Sequence, residues 1–240
     1  MNQKFDAFDM DRNELSFNQY IQNVFVYMSL GLLATSASSF LCFCSFAGRG
    51  IIYHLLVSFP YAFILIFLIE LILSFAMSRF LYRLNQTQLM LLFIVYSILN
   101  GLSFSTVFIV YQLSDIFLAF VYATGFFISM TMIGKTTKLD LSKYRTIFIA
   151  GLISLPIFSI VSLFIHSSKM DILISWAGLL LFMGLTAYDI QKVRNIYYNN
   201  AGESDNVKKL AILGAFELYL DFINMFIYIL RIMNNKRNRD

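Results

Sequence analysis

The sequence predicts an all-α membrane protein, a bundle of seven transmembrane helices, and three observations carry that prediction. Of 240 residues, 59% are hydrophobic and 13% charged, whereas soluble domains run near about 45–50% apolar and about 25% charged. A soluble core has no room for 26 Phe and 14 Tyr at a mean hydropathy of +0.71; the surplus would form exposed apolar patches that aggregate. The charges are also confined to short stretches, with no Asp, Glu, Lys or Arg in 15–48, 50–69, 84–114, 116–134, 146–168 or 172–188. These runs are continuously apolar. About 20 such residues make a helix that crosses roughly 30 Å of hydrocarbon, whereas barrel strands are alternating segments of about ten. The same composition excludes disorder, and two cysteines exclude a disulfide scaffold.

Residues 1–19 read as a polar N-terminal tail. Asp6, Asp9, Asp11 and Glu14 stand where a secretory signal needs a basic and then an apolar region. Spans follow at 22–46, 53–77, 89–111, 116–133, 146–166, 172–188 and 210–232, so that 20–233 form one seven-helix domain and 234–240 a basic C-terminal tail. No repeat or Pro-rich linker interrupts the chain. In the first span Thr35, Ser36, Ser38 and Ser39, and in the third Gly101, Ser103 and Ser105, are small-residue faces suited to close helix contact. Cys42 and Cys44 lie in an apolar span with no His or acid nearby and read as packing residues. His54 and His166, at span ends, read as interfacial, and Asp115 in the QLSD turn as a solvated residue or a helix cap.

Lys and Arg set the orientation. The N-terminal side of a seven-span chain carries twelve of them and the opposite side six, which places the N-terminus in the cytoplasm. Arg231, Lys236, Arg237 and Arg239 dissent, because seven spans leave them outside. A last segment that re-enters, interrupted by Glu217 and Asp221, would remove the conflict; seven full crossings is the preferred reading.

A charge at the bilayer centre costs about 2.5–3.5 kcal/mol on insertion scales, so an ionisable residue in a span faces protein or water. Glu70 lies mid-span in FLIELILSF. It is either a protonated carboxyl bonded to a neighbouring helix or a cation or proton site. In the last segment Glu217, Asp221, Asn224, Tyr228 and Arg231 recur at three and four residues and fall on one polar stripe of an apolar helix. Surrounded by lipid, that stripe faces inward. Asp189 ends the sixth span in GLTAYDIQK, and if the two helices pack antiparallel, Asp189 and Asp221 meet near one mouth of the bundle. Two carboxylates in contact share a proton over a range of pH, and they supply hard oxygen ligands that suit Ca²⁺. Such a pair acts as a latch, bonded when one proton is shared and repelling when both members are charged. The alternative is a structural hydrogen bond tying two helices together.

Enzyme motifs fail. Gly134-Lys135-Thr136 ends like a phosphate loop, but Ser129 stands where the first glycine belongs and no strand precedes it. HExxH and GxSxG are absent. Tyr188-Asp189 matches half of an intramembrane aspartyl protease motif, but Leu218-Tyr219-Leu220-Asp221 lacks both glycines of the other half. The expectation is a protein that is not an enzyme, holds no resident cofactor, and has the lipid bilayer, not nucleic acid, as its partner.

GLTAYDIQKVRNIY (184–197) and LYLDFINMFIYILRIM (218–233) resemble the two signature segments of the Bax inhibitor-1 family, the transmembrane BAX-inhibitor-motif proteins. QNVFVYMSLGLLATSASS, IELILSFAMSR, YSILNGLSFSTVFIVY and TTKLDLSKY extend the resemblance over roughly 18–233, and the loop and short length are most similar to the bacterial inner-membrane branch. The resemblance implies a seven-helix bundle with a central last helix, acting as a pH-sensitive calcium leak whose paired aspartates are Asp189 and Asp221. It further implies that an arginine near the end of the second helix, Arg79 or Arg83, binds the pair, and that the protein restrains a membrane-bound protease in some bacterial members. Glu217 departs from the pattern, where a small or hydroxyl residue is expected; an extra carboxylate there would strengthen cation binding or move the latch to higher pH. Three functions stay open: a proton-gated cation leak, a non-conducting regulator of another membrane protein, and a proton-coupled transporter of small solutes.

Overall fold

A computed structural model describes residues 2–47, 61–81, 83–165, 168–199 and 204–237, and among them every regular element is helical. Helix α1 spans Asn2–Ala47, α2 Ala62–Arg79, α3 Gln86–Phe104, and α4 is a single turn, Val107–Val110. Then come α5, Leu113–Thr136, a 3-10 turn at Leu141–Tyr144, α6, Arg145–Ile165, α7, Ser168–Asn199, and α8, Ser204–Arg237.

Local chemistry explains several ends. Asn85 starts α3 with a capping box: its side chain accepts from the Gln88 amide at 2.8 Å while the Gln88 side chain accepts from the Asn85 amide at 3.0 Å. Asp115 lies in the first turn of α5 and Lys135 in the last, each matching the helix dipole. Asp140 opens the 3-10 turn by accepting from the Ser142 hydroxyl at 2.5 Å and the Ser142 amide at 3.1 Å. Those two bonds hold its carboxyl below the ordinary carboxylate range. The turn therefore has this support at neutral pH and loses it as pH falls through that lowered range.

Among the described residues six helices are long and apolar enough to cross a bilayer, against the seven expected. The remaining one, α2, has 18 residues, and the first part of its expected span, 53–60, lies outside the described residues together with His54 and His166. Two further differences concern the ends. The residues read as a polar tail are helical and continue into the first span, since α1 begins at Asn2. The last segment does not turn back: α8 is unbroken over 34 residues, about 51 Å at 1.5 Å per residue, so Glu217 and Asp221 sit within a full-length helix.

Large apolar side chains point outward along these helices, including Phe117, Phe158, Phe164 and Ile147. Only 17% of the most apolar window of α5 and 11% of the α6 window is buried. In water such surfaces would associate; in lipid they are at rest, and the chain is a multi-pass membrane protein. Helix α8 is the most enclosed of the six, with 72% of its window buried, against 44% for α7.

The chain divides into two units. The first comprises residues 1–105 and 193–216. Here the small-residue faces read from the sequence meet: Thr35 Oγ1 donates to the Ser97 carbonyl at 2.9 Å, Ser38 Oγ to the Ile98 carbonyl at 3.1 Å, and Gly101 lies against Ser38 and the Thr35 carbonyl. Phe93 and Tyr96 pack edge-on against Phe216, with ring centroids 5.7 and 4.9 Å apart. Cys42 is buried and Cys44 exposed.

The second unit comprises residues 106–192 and 217–240. Phe222 of α8 sits between Phe120 and Phe127 of α5, at 5.5 and 5.7 Å. Phe148 of α6 meets Tyr188 of α7 at 5.5 Å, and Phe182 of α7 stacks on Tyr228 of α8 at 5.9 Å. Gly134 lets α5 touch the α7 backbone, because a Cβ there would collide with the Ala187 carbonyl. Gly125, also on α5, has nothing near its missing Cβ. Accordingly, Gly134→Val should destabilise the detergent-solubilised protein by about 1–3 kcal/mol through overpacking, while Gly125→Ala should leave it unchanged or slightly more stable. Thermal melts of the two variants check this.

Candidate functional site

In the second unit, α7 and α8 present two cross-helix rungs one turn apart. The first is Asp189–Asp221, joined by a side-chain hydrogen bond. The second is Lys192–Glu217, an ion pair with Nζ 2.6 Å from Oε1. Residue numbers rise on α7, from 189 to 192, as they fall on α8, from 221 to 217, so the two segments run antiparallel as the sequence reading requires. Both aspartates are buried, Asp189 to 7% exposure and Asp221 to 4%.

The hydrogen bonds at this site constrain where its protons are. A hydrogen bond between two carboxyls needs a proton on one of them, because two ionised carboxylates are acceptors only. Thr186, one turn before Asp189 and fully buried, also reaches Asp221, and its hydroxyl lies 2.8 Å from the Phe182 carbonyl. Asp221 Oδ2 is buried with no hydrogen-bond partner among the described residues. An unsatisfied buried carboxyl oxygen costs more than a satisfied one returns, so this is a costly place for an acid.

The pair opens on a cavity of about 340 Å³ that is also lined by Arg145, Tyr188, Lys192, Glu217 and Asn224. Asn224 donates from its side-chain amide to the Leu220 carbonyl at 2.8 Å. The polar stripe on α8 continues from there. Tyr228 carries Arg231 over its ring, 5.7 Å from the centroid, and Arg231 lines a second cavity of about 310 Å³ with Asp171, Tyr111 and Asn234. Asp171 is braced by the Ser162 hydroxyl, which donates to its carboxylate. The stripe thus faces polar cavities at two levels of the unit.

Of the residues singled out from the sequence, Asp189, Asp221, Glu217 and Asn224 come together here. Glu70, Arg79 and Arg83 belong to the first unit. There Glu70 is buried and its Oε1 accepts from Ser103 at 3.1 Å, with Asn100 a second partner; Arg79 and Arg83 are exposed. Glu217 is not a free third carboxylate, because Lys192 offsets its charge. No group of three or more His, Cys, Asp or Glu side chains among the described residues is gathered tightly enough to hold a metal ion.

Three residues at the site escaped the sequence reading. Lys192 enters the sequence reading only as one of the twelve Lys and Arg of the N-terminal side, although it stands three residues after Asp189. Thr186 sits one residue before the Ala187 contact with α5 and was passed over as part of the signature. Gln191 is buried and clamps the loop that precedes α6: its Nε2 donates to the Leu139 carbonyl and its Oε1 accepts from the Leu141 amide, both at 2.8 Å. Gln191→Ala should release that loop without unfolding α7. Hydrogen exchange at the Leu141 amide should rise by about tenfold or more, for a bond of about 1–1.5 kcal/mol, while exchange within 176–186 stays slow.

The comparisons with known proteins cover nearly the whole chain. The family described as "Inhibitor of apoptosis-promoting Bax1" matches residues 17–238. Inner membrane protein YbhL of Escherichia coli strain K12 is 34% identical over 219 residues, 91% of this chain and 92% of that protein. Protein RP147 of Rickettsia prowazekii is 36% identical over 221 residues, 92% of this chain and 91% of its own length. A membrane protein of Streptococcus pyogenes serotype M1 is 33% identical over 221 residues, 92% of this chain and 94% of its own. With its two signature segments supplying the acid pair, the chain belongs to the Bax inhibitor-1 family.

Proposed function

We propose that the protein is a pH-sensitive leak for Ca²⁺ or another hard cation in a bacterial inner membrane, with Asp189 and Asp221 as its proton-operated latch and the N-terminus in the cytoplasm. The observation that carries this reading is the buried hydrogen bond between the two carboxyls, facing a polar cavity. While one proton is shared, the bond ties α7 to α8. When that proton leaves, two unit charges roughly 4 Å apart repel by about 4 kcal/mol at an effective dielectric constant of about 20, more than the about 1–1.5 kcal/mol a hydrogen bond contributes. Repulsion therefore wins, the α7 and α8 segments loosen, and the freed carboxylates offer oxygen ligands to a hard cation. The polar stripe that leads past Asn224 toward Arg231 supports a route for that ion.

The name of the Escherichia coli relative supports the inner-membrane assignment, and the excess of Lys and Arg on the N-terminal side supports the orientation. Ca²⁺ is the cargo in this reading and not a resident cofactor.

Ca²⁺ flux through purified protein in liposomes, from about pH 6 to about pH 8, tests the latch. Flux should rise with pH in the wild-type protein. Asp189→Asn and Asp221→Asn each leave one ionisable member, with no like-charge repulsion to release, and should flatten that response. Flux no greater than that of protein-free liposomes in every variant would contradict the leak and point to the non-conducting alternative, a regulator that binds another membrane protein such as a membrane-bound protease.

A further inference from the structure

Lys192 stands between Glu217 and the acid pair. Its ammonium is 2.6 Å from Glu217 Oε1, and it also interacts electrostatically with Asp189. On α7 it lies three residues after Asp189, on the same face. Helical side chains lean toward the N-terminus of their helix, so the lysine stem points back toward the pair. The ion pair is half-open, with the Lys192 side chain 35% exposed and that of Glu217 23%, so the ammonium has room to change partners. The charged and titratable groups around it are Glu217, Asp189, Asp221, Tyr188 and, across the cavity, Arg145.

We propose that Lys192 is a tethered competitor for the cation site and that Glu217 holds it off. Asp189, Asp221 and Glu217 all line the cavity; the two aspartates are the oxygen ligands for a hard divalent cation, and Glu217 is engaged by Lys192. Lys192 is a cation already attached to the wall. Paired with Glu217, it neutralises one carboxylate and leaves the acid pair accessible. Deprived of Glu217, it has the aspartates of the first rung within reach, one turn away, and its ammonium fills the place that a divalent ion would take. Glu217 therefore favours cation entry by retaining the lysine and not by ligating the ion. This inference rests on the reading of the acid pair as a cation site and adds the residues that set its selectivity.

The two partners consequently have opposite effects, which a merely structural ion pair does not have. Mn²⁺ binding to the full-length protein in lipid nanodiscs, followed by electron paramagnetic resonance, reads them without requiring flux. Lys192→Gln should tighten Mn²⁺ binding by about tenfold and Glu217→Gln should weaken it by about tenfold, the scale expected for one unit charge withdrawn from, or released into, a partly exposed site. Glu217→Asp, which keeps the pair, and the double variant Lys192→Gln/Glu217→Gln should both bind near the wild-type level, and their melting temperatures show whether the fold is retained. Shifts in the same direction for the two single variants, no shift in either, or no Mn²⁺ binding by any variant would overturn the proposal. Ca²⁺ flux in the same preparations separates it from the leak reading: opposite shifts in binding without flux leave the cation site standing and remove the leak, whereas flux with same-direction shifts removes the role of Lys192 and leaves the leak.

Discussion

A carboxyl buried among apolar helices must find a partner, and in this protein Asp189 and Asp221 have found each other. Everything near them serves that contact. Gly134 brings α5 against Ala187, next to the segment that carries Thr186 and Asp189. Gln191, two residues on, fixes the loop before α6. Phe120 and Phe127 enclose Phe222, the neighbour of Asp221. The hydrogen-bonded acid pair is thus held by packing on several sides.

The second rung gives the first its electrostatic setting. An isolated pair of acids in an apolar interior would stay protonated at the cost of function, or ionise at the cost of stability. The ion pair one turn away adds a positive charge beside them without adding net charge. Its partly exposed position keeps it responsive to the cavity, while its contribution to stability is small, as for most half-solvated ion pairs. Along α8 the same stripe then passes from carboxylates to Asn224, Tyr228 and Arg231. Residues of that one face line both cavities.

Much of this was legible in the sequence. Five of the six uncharged runs mark spans that the structure bears out in length and composition; the run 50–69 lies partly outside the described residues, and the last span, Val207–Asn235, carries charges of its own. The hydroxyl-rich faces of the first and third spans proved to be a close helix contact, because Gly and Ser there leave the chain no other use for that surface. The acid pair followed from the spacing of the α8 stripe and from the family resemblance. What was missed depends on register between distant segments. Lys192 and Glu217 are 25 residues apart, and nothing in either local sequence says that they meet; only the antiparallel alignment set by Asp189 and Asp221 brings them together. Glu217 alone looked like a further cation ligand, and the structure pairs it with Lys192.

The central claim is that Asp189 and Asp221 share a single proton across α7 and α8. Infrared difference spectra of the carboxyl carbonyl stretch test it directly, recorded in a Glu70→Gln background so that Glu70 contributes no signal. If the proton is shared, the band of a protonated carboxyl seen in that background is displaced in both Asp189→Asn and Asp221→Asn, because either change removes the hydrogen bond that defines it. A band that persists unshifted in one of the two variants would assign the proton to a single isolated aspartate and contradict the account.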